Sequence, residues 1–584
     1  MTGGNRILGR GAAWAAAVLL VGVTFAAQST AVAASDIAYF LYAAGRLLDG
    51  ARLYRDVVDM NPPAIFALNV PIVWLSRLIH VPDLVFYHFA TSTVVGGALL
   101  FLRRLLGRYV LAGRPAERRY VLLWLCLILF PLAREDFGQR EHLILAFLLP
   151  YVALALARLR RSPVARGDAL VAGVLAGLAL ALKPPFVIAL IAVEAWYRWR
   201  AAGGRWSVTP ELVSAVGGAA AYVAAVVTIT PQYLRLVGVL GGAFVTYLRS
   251  SPVTLLTTPG ALLAAFALLA VLAARGRGRD ADAHGIIVAA MLGSFLAGFA
   301  QEKDLRYHFY PAFALATLVL ALLAARSAPQ RISGRAYQAI ARWLVAAIAL
   351  VILGRAVVEA LGGTGTERRR RAEFQGLVEA VRSHARGEPV GILSYWMGSA
   401  FPLVNYAGVR LASRFACLWI LPASYWDALR GERPIAYRRP SEMGAPERVL
   451  SRAVREDLLV AQPRVLLVLR PLPDEPPYGF RRLNYVAYFG RDSSLAEFFA
   501  RYQWVSTEGG YDLYERVQPG GVRTGPPPSA EVPPVPAQPP QERLVLVDYE
   551  LAAGAVIFVV LAIGSLVFPR AVSRRRSRVA DSGA

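Results

Sequence analysis

The stretch SDIAYFLYAAGRLLDGARLYRDVVDMNPP, residues 35–63, decides how the rest of the chain is interpreted. It follows the first long apolar segment and precedes a series of others. It carries four carboxylates, at Asp36, Asp49, Asp56 and Asp59, although the chain places few acidic residues near its apolar segments. A carboxylate beside a membrane helix is unfavourable unless it lies at the water interface and has a function. Asp36 is therefore the first residue for which we expect a functional role.

The composition indicates an integral membrane protein. Of the 584 residues, 56% are hydrophobic and 17% are charged, whereas soluble domains are about 25% charged. Many windows of about 20 residues are apolar enough to span a bilayer. The net charge of +24 comes largely from arginines between the apolar segments, where they set membrane orientation. Membrane lipids are therefore the expected surroundings, and nucleic acid is excluded as the expected partner.

Twelve membrane spans are predicted, at residues 11–33, 84–105, 119–133, 142–158, 168–184, 185–199, 211–230, 256–274, 284–300, 309–326, 338–361 and 548–569. Every second loop is rich in arginine, so we place these loops and both termini in the cytoplasm. The first segment resembles a signal peptide, but its length and the spans that follow favour an uncleaved anchor. The alternation also requires residues 62–79 to form an interfacial or re-entrant helix. The high arginine and alanine content suggests a GC-rich bacterial genome, and we expect the protein in the bacterial inner membrane.

The predicted fold class is mainly α, a polytopic membrane protein with an extracytoplasmic α/β domain before the last helix. Residues 1–362 form the membrane domain, with an outer loop at 34–83 that contains interfacial helices. Residues 363–524 form the periplasmic domain, residues 525–547 a Pro-rich linker, and residues 548–584 the final helix and a basic tail. Within the α/β domain we expect helices at 367–384 and 494–502, strands at 390–395 and 464–470, and a closing hairpin.

The chain has two cysteines, one in an apolar segment and one in a soluble stretch, so no disulfide is expected. The sequence contains no CxxC or HExxH pattern typical of zinc sites, and we assign no metal ligands.

The outward-facing loops collect the unusual polar residues, beginning with three aspartates. Asp36 could cap the helix that follows it, or it could act as a general base where a water-borne acceptor meets a lipid-borne donor. Asp56 and Asp59 could lie in a solvated turn before Pro62, or form a second acidic point that orients the acceptor or a cation. Two carboxylates can begin a site for a hard metal but do not complete one.

The next two outward loops contribute cationic residues. Arg140, Glu141 and His142 could form a salt-bridged connection between helices, or Arg140 could clamp a phosphate in bidentate fashion while Glu141 or His142 orients it. Lys183 lies at the end of LAGLALALKPP. It could extend its ammonium to the interface, or present that charge to a lipid phosphate or pyrophosphate.

The last outward loop, QEKDLRYHFYP at residues 301–311, could be an ordinary polar connection. In the functional interpretation it is a phosphate and sugar site. Lys303 and Arg306 would neutralise a phosphate leaving group, and Tyr307 or His308 would donate hydrogen bonds. Fixed positive groups assist such a reaction because they meet the charge that develops on the leaving group.

Taken together, Asp36 with Tyr39, the LLDGARLYRDVVDMNPP segment, the lysine of GLALALKPP and the QEKDLRYHFYP loop resemble the GT-C superfamily over roughly residues 10–360. The resemblance is nearest to protein O-mannosyltransferases and lipid A aminoarabinose transferases. It implies an integral-membrane, inverting glycosyltransferase that uses a polyprenyl-phosphate-linked sugar on the periplasmic face. The sugar, and whether the acceptor is a lipid, a glycan or a protein, stay open. No cofactor is implied with certainty, although a divalent cation could assist.

By position, Asp36 matches the catalytic base of these families and Asp59 their second acidic residue, while Lys183 and residues 303–308 match the side that holds the lipid phosphate. Two positions depart from the pattern. Ile37 follows Asp36 where these families often have Glu, and Asn61 precedes the two prolines where they commonly have Lys.

Two other functions are compatible with the sequence. A flippase or transporter of lipid-linked saccharides would need polar residues inside the spans near the membrane midplane, and the sequence has few. A non-catalytic scaffold for envelope assembly would leave the gathering of Asp36, Lys183 and His308 on one face unexplained.

Overall fold

The computed structural model describes residues 10–201, 208–274, 279–325, 332–430, 435–471, 480–518 and 520–529. The predicted span at 548–569, the basic tail and all but the first residues of the predicted linker lie outside the described residues. The helices are α1 (Arg10–Thr30), α2 (Ser35–Leu48), α3 (Pro63–Leu78), α4 (Asp83–Leu105), α5 (Pro115–Leu129), α6 (Arg140–Leu159), α7 (Arg166–Leu182), α8 (Val187–Arg200), α9 (Pro210–Ile229), α10 (Pro231–Thr246), α11 (Pro252–Leu256), α12 (Pro259–Ala274), α13 (Arg279–Phe299), α14 (Tyr310–Ala324), α15 (Ile332–Ala360), α16 (Gly365–Ala385), α17 (Leu403–Ala407), α18 (Ile420–Ser424), α19 (Trp426–Arg430), α20 (Ala445–Ala461), α21 (Tyr485–Phe489) and α22 (Ser493–Phe499).

Each predicted span within the described residues coincides with a helix, namely α1, α4 to α9 and α12 to α15. Within the described ranges, seven helical segments are long and apolar enough to cross a membrane. The chain is therefore a multi-pass membrane protein. The helices α5, α7, α8 and α12 have only 14 to 17 residues, so length and composition do not establish them as spans.

Small residues allow the helices of the bundle to pack closely. In α7, Gly173 and Gly177 face α9, and a Cβ atom on Gly173 would lie 2.2 Å from the carbonyl oxygen of Glu211. This spacing of two glycines four residues apart is typical of membrane helices whose backbones touch. The arrangement fixes the direction of α7, whose last residue precedes Lys183.

Two short helices, α2 and α3, connect the first two long helices. Pro63 occupies the first turn of α3, where the missing N–H of a proline costs the helix no hydrogen bond. With 16 residues, α3 is among the shorter apolar helices, and it packs on α2 and α4. The Arg77 guanidinium donates to the Asp49 carboxylate at 2.8 Å and joins the end of α3 to the end of α2.

The part of the chain after α15 contains a four-stranded sheet in the order β1-β2-β4-β3. The strands are β1 (Val390–Leu393), β2 (Val465–Leu469), β3 (Tyr502–Glu508) and β4 (Tyr511–Arg516). The first two strands are parallel, and the other pairings are antiparallel. Gly509 and Gly510, both with positive φ, form the turn of the β3–β4 hairpin. The strands, the hairpin and helix α16 fall where the sequence predicts them.

This α/β region packs directly on α2 and on the loop that follows it. The Tyr42 hydroxyl accepts from the Leu411 amide at 3.0 Å, and the Asn405 amide donates to the Ala38 carbonyl at 3.1 Å. The Phe401 ring lies 5.1 Å from the ring of Tyr39. The α/β region therefore covers the first outer loop, which carries three of the predicted site residues. We call this covering region the roof.

Candidate active site

The predicted functional residues lie at one end of the helical bundle. Asp36 is in the first turn of α2, Arg140 and Glu141 begin α6, Lys183 follows α7, and Lys303 lies between α13 and α14. Because consecutive long helices run in opposite directions, residues that end α7 and residues that begin α6 share this end. The alternation of basic loops in the sequence predicted the same grouping.

Asp36 does not cap its helix. Ala34 is the capping residue of α2 and no side chain makes a capping hydrogen bond, so the capping interpretation is wrong. Loss of hydration raises the pKa of the Asp36 carboxyl, while Arg140, Lys183 and a hydrogen bond from Gln139 oppose this rise. Asp36 is thus a carboxylate with positive neighbours and a basicity above that of an exposed aspartate.

Arg140 links the two acidic positions of the site. Its guanidinium donates to the side-chain oxygen of Asn61, and its charge acts on both Asp36 and Asp59. The backbone N–H of Asn61 donates to the Asp59 carboxylate at 2.5 Å. Burial raises the pKa of Asp59 to about 6 against the effects of that hydrogen bond and of Arg140. Asn61 thus positions both a cation and a carboxylate.

Glu141 and Lys183 form a buried ion pair. Their side chains are 0% and 10% exposed, and the Lys183 ammonium donates to Glu141. His308 Nε2 lies 3.9 Å from the same carboxylate. Burial lowers the pKa of Lys183, and Glu141 opposes the change. The alternative in which Lys183 extends its charge to water is therefore wrong, because the ammonium is held inside the protein.

Lys303 is a buried cation with no carboxylate in ion-pair contact among the described residues. Its ammonium lies 3.5 Å from the ring centroid of Phe244 and 5.8 Å from that of Tyr247, so aromatic faces provide part of its stabilisation. Burial lowers the pKa of Lys303 to about 7, and repulsion from Lys183 and Arg140 contributes. Arg140, Lys183 and Lys303 are thus three neighbouring buried cations, and an anion bound among them would stabilise their charges.

Two tyrosines complete the cluster. The Lys183 ammonium lies 5.4 Å from the ring centroid of Tyr307. Tyr39 is buried beside Asp59, and burial raises the pKa of its hydroxyl, with the charge of Asp59 adding to the effect. The neutral hydroxyl of Tyr39 can therefore donate to a carboxylate or to a bound sugar.

Three predicted residues lie apart from this cluster. Asp56 accepts from the Arg52 amide at 2.9 Å in a local turn. His142 is enclosed by its own loop: its Nδ1 accepts from the Gly138 amide at 3.0 Å, and its Nε2 is 2.7 Å from the Leu129 carbonyl.

Arg306 is the third of these residues. Its side chain is 55% exposed and lies 3.4 Å from Glu135 and from Asp136. It is therefore at the rim of the cluster, where it shields two acids.

No group of three or more His, Cys, Asp or Glu side chains is placed to hold a metal ion within the described part of the chain. Arg140 is a cation whose charge acts on both Asp36 and Asp59.

Several contributors were not among the predicted site residues. Gln139 carries no charge, and the sequence gives no sign that it contacts Asp36. Phe244 lies in α10, a helix in the connection between the predicted spans at 211–230 and 256–274. Cys417 lies in the roof, close enough to Asp36 and Asp59 for their charges to act on its thiol. Only the tertiary fold brings these residues to the site.

The fold resembles solved membrane proteins. ArnT from Cupriavidus metallidurans bound to undecaprenyl phosphate matches with a TM-score of 0.52 and 12% identity, over 88% of this chain and 100% of that chain. Weaker matches are the oligosaccharyltransferase AglB from Archaeoglobus fulgidus, with a dolichol-phosphate (TM-score 0.42, 11% identity, 87% and 74% covered), and the mycobacterial arabinofuranosyltransferase AftD (0.41, 14%, 88% and 40%). No protein-family model and no curated protein sequence matches. The chain shares the overall fold of ArnT, and at the level of the fold this likeness confirms the resemblance to the GT-C superfamily that the motifs predicted.

Proposed function

We propose that the protein is an inverting glycosyltransferase that moves a sugar from a polyprenyl-phosphate carrier to an acceptor hydroxyl. The observation that carries this proposal is the meeting of Asp36 with the buried cations Arg140, Lys183 and Lys303 at one end of a membrane bundle. The likeness to ArnT, which was solved with undecaprenyl phosphate bound, supports a polyprenyl-phosphate carrier.

In this reaction Arg140, Lys183 and Lys303 hold the lipid phosphate. The bond between the anomeric carbon and a phosphate oxygen breaks, and that oxygen keeps the electron pair. The cations stabilise the negative charge that develops there. Tyr307, half-buried beside Lys183, and His308, buried and within the influence of Lys183 and Lys303, line the same region and can hydrogen-bond the phosphate or the sugar.

Asp36 is the general base. It takes the proton of the acceptor hydroxyl as the acceptor oxygen bonds to the anomeric carbon from the face opposite the leaving phosphate. Asp59 and Tyr39 orient the acceptor. Glu141 repels phosphate, so we give it the role of holding Lys183, and we assign Asp56 and His142 no direct part in the reaction.

The active site faces the periplasm of a bacterial inner membrane in this proposal. The cluster lies at the bundle end away from the arginine-rich loops, which are expected to stay in the cytoplasm. The acceptor enters beneath the α/β roof, whose residue Cys417 is close to Asp36 and Asp59.

The test is a release assay in liposomes. Purified full-length protein receives a panel of polyprenyl-phosphate sugars and a membrane extract as acceptor, with and without EDTA. Release of free polyprenyl phosphate, and its loss in Asp36→Asn, is the expected result and names the donor. Absence of release with every donor, together with movement of the intact lipid-linked sugar across the bilayer, would favour a flippase instead.

A further inference from the structure

A second cavity lies at the opposite end of the bundle from the Asp36 cluster. It has a volume of about 350 Å³, is open on one side and is lined by residues of α1, α4 and α5. Its apolar walls include Leu99, Leu100, Leu122 and Leu123, with Trp14 at its edge. At 1.5 Å per residue, α1 carries the chain about 24 Å from this cavity to the end that leads into α2. The cavity is thus separate from the proposed transfer site.

Three arginines converge on this cavity. Arg103 lies over the Trp14 ring, 5.3 Å from its centroid. The Arg118 side chain packs against the backbone of Gly107. Its Nη1 lies 2.6 Å from the position that a Cβ atom on this glycine would occupy. The Nε of Arg119 is buried and has no hydrogen-bond partner within the part of the chain that the structure describes. Among the described residues, no carboxylate lies within ion-pair distance of any of the three.

Other arginines at this end of the bundle have acidic partners. Arg104 and Arg108 lie 3.0 and 3.6 Å from Asp168, and Arg158 lies 3.0 Å from Glu211. Orientation in the membrane explains why arginines occur here, but it does not explain why three of them face an open cavity. Arg118 and Arg119 are half-buried, and a partly buried guanidinium without an acceptor is unfavourable. An anion that is not among the described residues would satisfy them.

We infer that this cavity binds an anionic phospholipid, with its phosphate on the three guanidiniums and its acyl chains along the four leucines. Guanidinium groups match phosphate oxygens in bidentate geometry, and basic pockets between membrane helices favour anionic headgroups. The apolar walls distinguish a lipid from free phosphate. This site is independent of the proposed transfer reaction.

The test measures lipid retention by native mass spectrometry. The full chain, purified in a neutral detergent, is titrated with dioleoyl phosphatidylglycerol or with dioleoyl phosphatidylcholine. We expect one phosphatidylglycerol to bind in preference to phosphatidylcholine. Arg118→Gln with Arg119→Gln should weaken its binding by about fivefold for each arginine removed. Arg114→Gln is the matched control, because Arg114 is an exposed residue immediately before the same helix, α5, and already pairs with Glu117 at 3.2 Å. It should leave binding unchanged.

A further variant keeps all the arginines in case the double substitution does not fold. Leu100→Glu places a carboxylate on the cavity wall, within reach of Arg103 one turn later, and should abolish the preference for phosphatidylglycerol. Equal retention of the two lipids by the wild type would overturn the inference. So would unchanged phosphatidylglycerol binding in the folded variants, or full competition by millimolar inorganic phosphate.

Discussion

The amide N–H of Val58 donates to the carbonyl of Arg414 at 2.8 Å. Val58 precedes Asp59 in the first outer loop, and Arg414 lies in the roof formed by the α/β region. The Arg414 guanidinium is itself held by Asp457, whose carboxylate oxygen lies 2.7 Å from it. The loop that carries the second acidic residue of the site is therefore fixed by the α/β region, so this region contributes to the geometry of the proposed reaction.

Removing this hydrogen bond should slow transfer. Val58→Pro lacks the amide N–H and leaves the Arg414 carbonyl without its donor, which costs about 1–3 kcal/mol when the group is buried. We expect turnover to fall by about tenfold or more as Asp59 loses its position. Val58→Ala keeps the hydrogen bond and serves as the control. Wild-type turnover in a folded Val58→Pro protein would show that the roof does not position the loop.

The two aspartates Asp36 and Asp56 should behave differently when each is changed to Asn. Loss of a general base lowers rates by roughly 10²–10⁴-fold, so Asp36→Asn should lose nearly all transfer while keeping its thermal stability. Asp56→Asn should keep transfer, because this carboxylate serves only a local turn. Turnover and thermal unfolding measured on both variants check this. Comparable loss of turnover in both would mean that the outer loop acts as a whole.

Binding of the lipid phosphate should weaken above pH 7. The free protein releases the Lys303 proton above pH 7, since burial lowers the pKa to about 7, whereas a bound phosphate keeps the ammonium charged. Binding then requires proton uptake, so the affinity falls by up to about tenfold per pH unit above that value.

The control for this pH dependence is Lys303→Arg, because arginine stays charged over this range. The dissociation constant of polyprenyl phosphate, measured from pH 6 to pH 9, should rise more steeply for the wild type than for the variant. The ionisation of the lipid itself cancels in this comparison. Parallel curves would remove Lys303 from phosphate binding.

The Glu141–Lys183 pair should show strong coupling in stability. Glu141→Gln or Lys183→Met alone leaves a buried charge without its partner, which costs about 3–5 kcal/mol. The double variant should recover most of this loss, because no unpaired charge remains. Thermal unfolding of the four proteins in detergent gives the coupling energy. Additive effects of the two substitutions would mean that the pair is not a stability unit.

Comparing the single variants Glu141→Gln and Lys183→Met also tests their roles in phosphate binding. Glu141→Gln should keep measurable binding of polyprenyl phosphate, since the phosphate replaces Glu141 as the partner of Lys183. Lys183→Met should lose it. Equal loss in both variants would contradict the positioning role of Glu141.

Much of the site could be predicted because membrane topology groups residues by face. Asp36, Lys183 and Lys303 each follow an apolar segment, and alternation alone puts them at one end of the bundle. Sequence position could not tell Asp59 from Asp56, because the difference lies in which one the roof covers. The sequence also could not show that, of three consecutive residues, Arg140 and Glu141 belong to the site whereas His142 serves only local structure.

The α/β region illustrates the same limit. Its strands and hairpin follow from apolar runs and from the Gly509-Gly510 turn, so local patterns predict them well. Its docking on α2 depends on single side chains such as Tyr42 and Phe401, which no periodic pattern marks. The roof was therefore predicted as a domain but not as part of the site.

The break at Lys183 has a consequence for the surrounding lipid. The helices on either side, α7 and α8, have 17 and 14 residues, or about 26 and 21 Å of length, whereas a hydrocarbon core is about 30 Å thick. A bilayer adapts to short helices by thinning locally. With α7 and α8 as the spans that the sequence predicts, thinning there would lower the outer headgroup layer toward Lys183, so a carrier phosphate could reach the buried cations while its polyprenyl chain stays in the hydrocarbon.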